Sequence, residues 1–236
     1  MAPYRGRVHI DLGSGDGRGP YRWASREPSR LFIASDTNPV GLTEIAWKAG
    51  RKAERGGVPN LVCIAEPLDA LAAELAAVAD RITVILPWGS LLRAVAAAEL
   101  LSLRNIAHLC LPDASLDVVF SYDAQRDALQ AIPLTASGFD EEHIATLPRL
   151  YQQAGFQVVG ADRLPQTELA GYQTTWAKRL AFGRPRKIWR LRASWRPPLP
   201  EGPEGRGFLL VSCTRTNTFG GFLPRRPSFS RRLRRG

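Results

Sequence analysis

One stretch near the start of the chain, HIDLGSGDG over residues 9–17, combines a carboxylate with three closely spaced glycines. The apolar residues around Asp11 lead into a loop with glycine at positions 13, 15 and 17, which is typical of a buried strand entering a tight turn. Because glycine has no Cβ and tolerates positive φ, the backbone there can lie directly against a ligand. The pattern predicts a loop wrapped beneath a bulky cofactor. Its candidate binding residues are Asp11, Gly13, Gly15 and Gly17.

The spacing of these glycines favours one class of cofactor over another. A dinucleotide-binding fingerprint would have its third glycine at position 18, where this chain has Arg18. The order found here, Asp11 followed by Gly-x-Gly-x-Gly, resembles the first motif of S-adenosylmethionine-dependent methyltransferases. That resemblance implies S-adenosylmethionine as the cofactor, with the Asp11 carboxylate near its cationic methionine end. A tight strand-to-helix turn without a ligand is the alternative.

Two further acids follow predicted strands and extend the cofactor site. Asp36 ends the second predicted strand, residues 31–35, where doubly wound folds hydrogen-bond the ribose hydroxyls of a cofactor. Asp69 follows the third predicted strand, residues 61–65, near where an adenine amino group would be recognised. Glu66 competes with Asp69 for that role. We therefore expect an acid at the ribose and another at the adenine.

Two tryptophans fall in predicted loops. Trp88 follows a continuous apolar strand, residues 81–86, at the carboxyl end where parallel sheets bind ligands. An ordinary core aromatic is disfavoured there because Pro87 and Gly89 mark a loop. Trp176 directly precedes a run of basic residues. Aromatic rings stack on bases while arginines bind phosphates, so the combination predicts RNA with one unstacked nucleotide.

The two indoles are interpreted as a pair that sandwiches a flipped base. Extruding a base from a helix costs a few kcal/mol, and stacking at roughly 1 to 3 kcal/mol per ring offsets that cost. The distribution of charge agrees with a nucleic-acid partner. Residues 178–196 hold eight Lys and Arg side chains and no acid, whereas residues 1–177 carry a net charge of −4. Such a dense basic stretch predicts a polyanion docked on one face, and a solvated charge run is the alternative.

Strand-like and helix-like segments alternate along the chain, and continuous β-branched runs indicate a parallel sheet buried on both faces. The expected fold is α/β, with a doubly wound, mostly parallel seven-stranded sheet. The resemblance to methyltransferases makes it the class I Rossmann-like type. The other expected elements are helices over 39–55, 68–79, 94–103 and between Asp140 and Gly155, and strands over 116–122, 156–161 and 187–191.

Composition narrows the class of protein further. No run approaches the roughly 18 apolar residues of a membrane span, so we expect a cytoplasmic protein without a membrane partner. Three widely spaced cysteines favour neither a disulfide framework nor a zinc site, and no metal is expected. The histidines at 9, 108 and 143 lie outside the motif loops, and no chemical role is predicted for them. Residues 196–236, rich in proline, glycine and arginine, are expected to form a disordered tail.

Three motifs together carry a more specific resemblance. HIDLGSGDG, LPWGSLL over residues 86–92 and WAKRLAFGRPR over residues 176–186 resemble the aminoglycoside-resistance 16S rRNA (adenine(1408)-N(1))-methyltransferases of the KamB and NpmA type. The resemblance covers about residues 7–195 and implies a methyltransferase domain within residues 1–195. It implies a monomer that methylates N1 of the adenine in helix 44, at the decoding site of the assembled 30S subunit.

The same resemblance assigns residues to roles. Trp88 and Trp176 are implied to clamp the target adenine as the catalytic pair. The implied cofactor contacts are Asp11, Gly13, Asp36, Asp69, Ser90 and Thr174. The implied RNA-docking arginines are Arg179, Arg184 and Arg186, and Lys178 lies in the same run.

The chemistry of the base sets what the site must provide. Adenine N1 has an in-plane lone pair, so its methylation needs positioning and desolvation rather than a general base. Three alternatives remain open. They are a related enzyme acting on another rRNA or tRNA position, a non-catalytic RNA-binding protein that would not bind S-adenosylmethionine, and a nicotinamide oxidoreductase. Arg18 and the loop tryptophans disfavour the last of these.

Overall fold

Seven strands and seven α-helices alternate in the part of the chain that the computed structural model describes, residues 6–122 and 139–197. The strands are β1 (Arg7–Leu12), β2 (Arg30–Ser35), β3 (Leu61–Ile64), β4 (Ala79–Ile85), β5 (Cys110–Phe120), β6 (Phe156–Arg163) and β7 (Trp189–Trp195). The helices are α1 (Arg18–Arg26), α2 (Pro39–Ala49), α3 (Leu68–Glu74), α4 (Gly89–Ala96), α5 (Leu100–Leu109), α6 (Glu141–Gln152) and α7 (Thr175–Ala181). A 3-10 helix, Gln166–Tyr172, precedes α7.

The strands form one sheet in the order β3-β2-β1-β4-β5-β7-β6. The first five strands pair in parallel, and β7 runs antiparallel to both β5 and β6. The predicted doubly wound, mostly parallel seven-stranded sheet is therefore confirmed. The order reverses between β1 and β4, and ligands bind at the carboxyl ends of the strands beside such a reversal.

Side chains from opposite faces of the sheet enter different hydrophobic clusters. Because strand residues alternate between faces, Ile10 and Ile82 enter the large cluster with α3 to α6. Phe32 enters a smaller cluster with α1 and α2, and Val119 enters a third with α7. Helices thus cover both faces, which explains why the strands read as continuous apolar runs.

Two predicted helices end earlier than expected. The helix predicted to reach residue 55 stops at Ala49, and a separate 3-10 turn, Ala53–Arg55, follows before Gly56 in the left-handed region. The alanine-rich helix predicted to reach residue 79 stops at Glu74, because Ala79 pairs with Cys110 at the start of β4. Sheet pairing overrides the helix preference of alanine there.

One predicted helix is two. The segment predicted as helical over 94–103 contains the end of α4 and the start of α5, separated by a bend at which Ala98 has a φ of 54°. The last strand begins at Trp189 and runs four residues further than the predicted 191. The irregular stretch expected over 123–139 and the tail expected over 196–236 lie almost entirely outside the described residues.

The described residues contain neither a membrane-spanning helix nor a cluster of metal ligands. Within 6–122 and 139–197, no helix is both long and apolar enough to cross a membrane. In the same residues, no three side chains of His, Cys, Asp or Glu are grouped as a metal site would require.

Candidate active site

A cleft of about 640 Å³ lies at the carboxyl ends of β1, β2 and β4. The structure brings seven of the eight predicted cofactor residues to its wall, together with both tryptophans. These residues are Asp11, Gly13, Gly15, Asp36, Asp69, Ser90, Thr174, Trp88 and Trp176. Residues from five separate segments of the chain thus meet at the switch point of the sheet, where a doubly wound fold binds ligands.

The glycine loop behaves as predicted at two of its three glycines. Gly13 and Gly15 have φ values of 69° and 61° and line the cleft. A Cβ at Gly13 would lie 2.8 Å from the Leu91 side chain, whereas a Cβ at Gly15 would meet no atom within 4 Å. Glycine at position 15 is therefore explained by its left-handed conformation and not by a packed neighbour.

Gly17 does not lie on the wall of the cleft, so its prediction as a cofactor residue is not supported by its position. It is buried at the N-cap of α1 with a φ of 66°. A Cβ there would lie 3.2 Å from Leu42 and 3.3 Å from Ile45 on α2. Gly17 allows α1 and α2 to pack closely, which is a structural role that the motif alone did not distinguish.

Asp36 is held by the backbone at the tip of β2. Its Oδ2 accepts a hydrogen bond from the Gly15 amide at 2.8 Å, and its Oδ1 accepts one from the Asn38 amide at 2.9 Å. These bonds fix the carboxylate beside the glycine loop, where it can accept hydrogen bonds from ribose hydroxyls. Asp69 lies in the first turn of α3, and Glu66 lines the same part of the cleft. The structure leaves both as candidates for the adenine.

Asp11 is the most buried acid of the cleft, with 2% of its surface exposed. The pKa of Asp11 is raised from 3.8 to about 7, chiefly by burial; a hydrogen bond from Thr83 lowers it, and the negative charge of Asp36 raises it. A cationic group bound beside Asp11 would favour the ionised carboxylate. The environment therefore suits the positively charged end of a cofactor.

Helix α7, which carries Trp176, is joined to the glycine loop by hydrogen bonds. The Thr174 hydroxyl caps α7 by accepting from the Ala177 amide at 3.0 Å. The Thr175 hydroxyl donates to Asp16 at 2.6 Å, and Arg22 of α1 donates to the Gln173 carbonyl. The start of α7 is thereby fixed against the loop beneath the cleft.

The two indoles contact each other. The ring centroids of Trp88 and Trp176 are 5.4 Å apart, and their planes are inclined at 65°. A base held between two rings at van der Waals distance needs parallel planes about 7 Å apart. The sequence predicted two rings ready to sandwich a base, whereas the structure shows an edge-to-face pair that must open to admit one. Trp88 is 49% exposed, so about half of its surface faces solvent and not packed protein.

The loop that presents Trp88 contains an unusual backbone conformation. Leu86 has a φ of 52°, which is costly for a residue with a side chain. Its amide donates to the Val119 carbonyl at 2.7 Å, and its side chain is buried, so packing holds the conformation in place. Strained backbone of this kind persists only where the surrounding structure enforces it, and it is found most often at functional sites.

The basic run predicted to bind a polyanion divides into two parts. Within β7 and at its end, Arg190, Arg192 and Arg196 form ion pairs with Asp117, Asp162 and Asp113. Before β7, the cations follow Trp176 in the chain. Lys178, Arg179 and Arg184 are exposed, and Arg186 lines a small cavity with Trp88 and Trp176. The Arg179 guanidinium lies 6.0 Å from the centre of a Trp176 ring.

Comparison with known proteins assigns the chain to a family. A model of the NpmA family, described as 16S rRNA (adenine(1408)-N(1))-methyltransferase, matches residues 2–195. The chain belongs to this family. A methyltransferase of that description from Escherichia coli is 33% identical over 191 residues, which are 78% of this chain and 85% of that protein. One from Streptoalloteichus tenebrarius is 35% identical over 185 residues, covering 76% and 82%.

A solved structure gives the same result in three dimensions. The crystal structure of a mutant 16S rRNA (adenine(1408)-N(1))-methyltransferase from Catenulisporales acidiphilia with its cosubstrate S-adenosylmethionine has a TM-score of 0.73 to this chain. The two are 30% identical in sequence, and the match covers 82% of this chain and 88% of the other. The methyltransferase expected from the sequence is thereby confirmed, as is its cofactor.

The cleft of this methyltransferase has a polar group and a space that suit bound S-adenosylmethionine. The hydroxyl of Ser14 is buried at the wall of the cleft and has no hydrogen-bond partner among the described residues. Buried polar groups are rarely left unpaired unless a ligand or water completes them. Together with the open space beside Gly15, this orphan hydroxyl leaves room and a polar partner for a bound molecule.

Two features of the methyltransferase were missed by the sequence analysis. Gln166 lies 20 residues before Arg186, yet its side chain organises the loop of residues 183–186. The two N–H groups of its amide are shared among the carbonyls of Leu180, Gly183 and Arg184, and its oxygen accepts from the Arg186 amide. Phe182, 83% exposed among the basic residues, was also passed over. Only its position inside the motif of residues 176–186 could have signalled it.

Proposed function

We propose that this protein transfers the methyl group of S-adenosylmethionine to N1 of adenine 1408 of 16S rRNA in the assembled 30S subunit. The observation that carries the proposal is the meeting of Trp88, at the start of α4, and Trp176, in the first turn of α7, at the wall of the cofactor cleft. Membership of the family supports the substrate. The geometry supports the manner in which a base would reach the cofactor.

The indoles receive the extruded adenine. In the free protein their edge-to-face contact covers part of each ring. When the pair opens to about 7 Å, the same surfaces stack on both faces of the base, with roughly 1 to 3 kcal/mol per ring to offset unstacking. Insertion of the base breaks one contact between the two indoles and forms two new ones, one on each face of the base. The base-bound arrangement is therefore favoured over the indole pair without a base.

The cleft then positions the adenine against the methyl donor and takes no part in proton transfer. S-adenosylmethionine, when bound, provides an electrophilic methyl on a sulfonium. The lone pair of adenine N1 forms the new bond to carbon as the carbon–sulfur bond breaks, which leaves S-adenosylhomocysteine and a positively charged base. No proton is removed, so the residues of the cleft need only hold the two reactants aligned and exclude water. The uncharged, stacking indoles suit that task.

The basic residues before β7 bind the RNA backbone. We assign this role to Lys178, Arg179, Arg184 and Arg186, with Phe182 beside them as a ring that can stack on a neighbouring nucleotide. The polyanion is proposed to be helix 44 at the decoding site. The protein is proposed to act as a monomer in the cytoplasm, where assembled subunits are found.

Resistance to aminoglycosides follows from the product. These drugs are polycations that contact the decoding site through hydrogen bonds and ammonium groups. A methyl on N1 blocks one acceptor and adds a positive charge that repels a nearby ammonium. The modified subunit would bind the drug less well while its own structure changes little.

Primer extension tests the position of methylation. After incubation of 30S subunits with the protein and S-adenosylmethionine, we expect reverse transcriptase to stop one nucleotide before adenine 1408. Subunits incubated without S-adenosylmethionine serve as the control and give no stop. A stop elsewhere in the small-subunit rRNA would contradict the assignment of the base, and incorporation of methyl groups only into another RNA would contradict the substrate.

Replacement of Gln166 by glutamate tests how the RNA-binding loop is held. The carboxylate still accepts from the Arg186 amide, but it places an oxygen opposite the three carbonyls that Gln166 now satisfies. Loss of the two N–H donors should loosen residues 183–186 and weaken 30S binding by about tenfold, since two such bonds at roughly 0.5 to 1 kcal/mol each amount to about 1.4 kcal/mol. Affinity for S-adenosylmethionine, measured by calorimetry, should not change. Unaltered 30S binding would show that the loop is held in another way.

A further inference from the structure

A short chain of buried polar side chains crosses the central strands beneath the cleft. His9 and Asp11 on β1 and Thr83 on β4 are 5%, 2% and 3% exposed. Asp11 and Thr83 are partners in the register of the two strands, so their side chains lie next to each other on the same face. The alternate residues, Ile10 and Ile82, are buried in the large hydrophobic cluster. Polar groups in such a position require a reason, because burying them is costly unless each is paired.

The three side chains form one hydrogen-bonded chain. Thr83 Oγ1 donates to Asp11 Oδ1 at 2.5 Å, and His9 Nε2 lies 3.0 Å from the same Thr83 oxygen. A hydroxyl has only one proton. When Asp11 is ionised, that proton points to the carboxylate, and the hydroxyl oxygen accepts the N–H of His9 Nε2. The imidazole therefore fixes the direction in which Thr83 donates.

The imidazole is itself held in place. Its ring stacks on Trp23 of α1, with centroids 5.3 Å apart and planes inclined by 4°. Phe32 of β2 contacts it at 5.2 Å on centroids. A ring fixed between two aromatic side chains loses little further freedom by donating a hydrogen bond. The sequence analysis assigned no role to His9, since it lies in a strand and not in a motif loop.

We infer that Thr83 and His9 are positioning residues, which hold the Asp11 carboxylate ionised and aimed into the cleft for the cationic end of S-adenosylmethionine. The inference rests on the proposed function only in assigning Asp11 to the cofactor. Neither residue lines the cleft, so each acts on a bound ligand through Asp11.

The charged groups around His9, Thr83 and Asp11 are consistent with a neutral His9 that donates to Thr83 and a Thr83 hydroxyl that donates to Asp11. Burial, with smaller contributions from Arg81 and Arg30, lowers the pKa of His9 to about 3, so the imidazole is neutral at physiological pH. Asp36 is the charged group that faces Asp11, and it raises the pKa of Asp11, as burial does. The Thr83 hydrogen bond is the opposing influence. Removing it should raise the pKa of Asp11 and reduce the ionised fraction at pH 7.

Replacement of Thr83 by valine and by serine tests the inference. Valine keeps the β-branched shape and removes the hydroxyl, whereas serine keeps the hydroxyl. In the ligand-free protein, NMR titration of the Asp11 carboxyl carbon should give a higher pKa in Thr83→Val and an unaltered one in Thr83→Ser. Calorimetry should show S-adenosylmethionine binding about tenfold weaker at pH 7 in Thr83→Val, as expected for a lost bond to a charged group, and recovering as pH rises to 9.

Two further variants complete the test. His9→Phe keeps a ring between Trp23 and Phe32 but removes the N–H, and it should change both measurements in the same direction as Thr83→Val, by a smaller amount. Asp11→Asn should bind S-adenosylmethionine weakly at every pH between 6 and 9. If Thr83→Val leaves the Asp11 pKa and the pH profile of binding unaltered, the positioning role is wrong. The NMR titration needs neither cofactor nor RNA, so it can fail while primer extension succeeds, and the reverse.

Discussion

Replacing Trp176 by alanine should reduce methylation of 30S subunits by about a hundredfold or more, and Trp88→Ala should do the same. Each indole contributes stacking worth roughly 1 to 3 kcal/mol to the extruded base, and its loss also misplaces N1 relative to the methyl. The cleft keeps Asp11, Asp36 and the glycine loop in both variants, so affinity for S-adenosylmethionine should change by less than about threefold, well under the loss of one charged hydrogen bond. Single-turnover methylation and calorimetry measure the two quantities separately.

Trp47→Ala is the matched control for this prediction. That indole is 69% exposed on α2 and does not line the cleft, so its removal deletes the same side chain without touching the proposed base site. Methylation should remain near the level of the unaltered protein. Trp176→Phe should retain part of the activity, since a smaller ring can still stack. Near-normal turnover in either alanine variant of the cleft would remove the basis for the base-clamping role.

Reversing the charge of the loop before β7 should have the second-largest effect. The double variant Arg184→Glu/Arg186→Glu should weaken 30S binding by about a hundredfold at low salt and by less at high salt, because each phosphate contact that is lost also removes the release of counterions. The slope of the logarithm of affinity against the logarithm of salt concentration should become shallower by about 1 per contact. Equilibrium binding at several salt concentrations measures both quantities.

Arg104→Glu is the control for that measurement. Arg104 is exposed on α5, which packs on the hydrophobic cluster of the opposite sheet face from α7. This single charge reversal alters the net charge without altering the proposed docking surface. It should lower 30S affinity only slightly and leave the salt slope in place. If Arg104→Glu weakens binding as much as the double variant does, general charge and not a defined docking face determines affinity.

The parts of the site that depend on local sequence could be predicted. Gly13 and Gly15 were found because glycines closely spaced after an apolar strand indicate a tight turn, and both have a positive φ. Asp36 and Trp88 were found because parallel strands place their carboxyl ends at one edge, so any polar or aromatic residue just after a strand points to the site. The strands themselves were readable because helices cover both faces of the sheet and require continuous apolar runs.

The parts of the site that depend on contacts between distant residues could not be predicted from the sequence. Thr83 looks like an ordinary strand residue until its register with Asp11 is known. Gln166 has no motif around it. Its hydrogen bonds to Leu180 of α7 and to the loop of residues 183–186 exist only because the 3-10 helix packs beside α7. Gly17 fits the cofactor motif in sequence but faces α2 in space. In each case the deciding partner lies on another element.

The most direct test of the account is a cryo-EM structure of this protein bound to the 30S subunit in the presence of S-adenosylhomocysteine. We expect adenine 1408 to lie outside the stack of helix 44, between the separated indoles of Trp88 and Trp176, with N1 facing the sulfur of the cofactor product. Density for the loop of residues 183–186 should follow the phosphates on either side. An adenine that remains stacked in helix 44, or one extruded into a site without both indoles, would contradict the central claim.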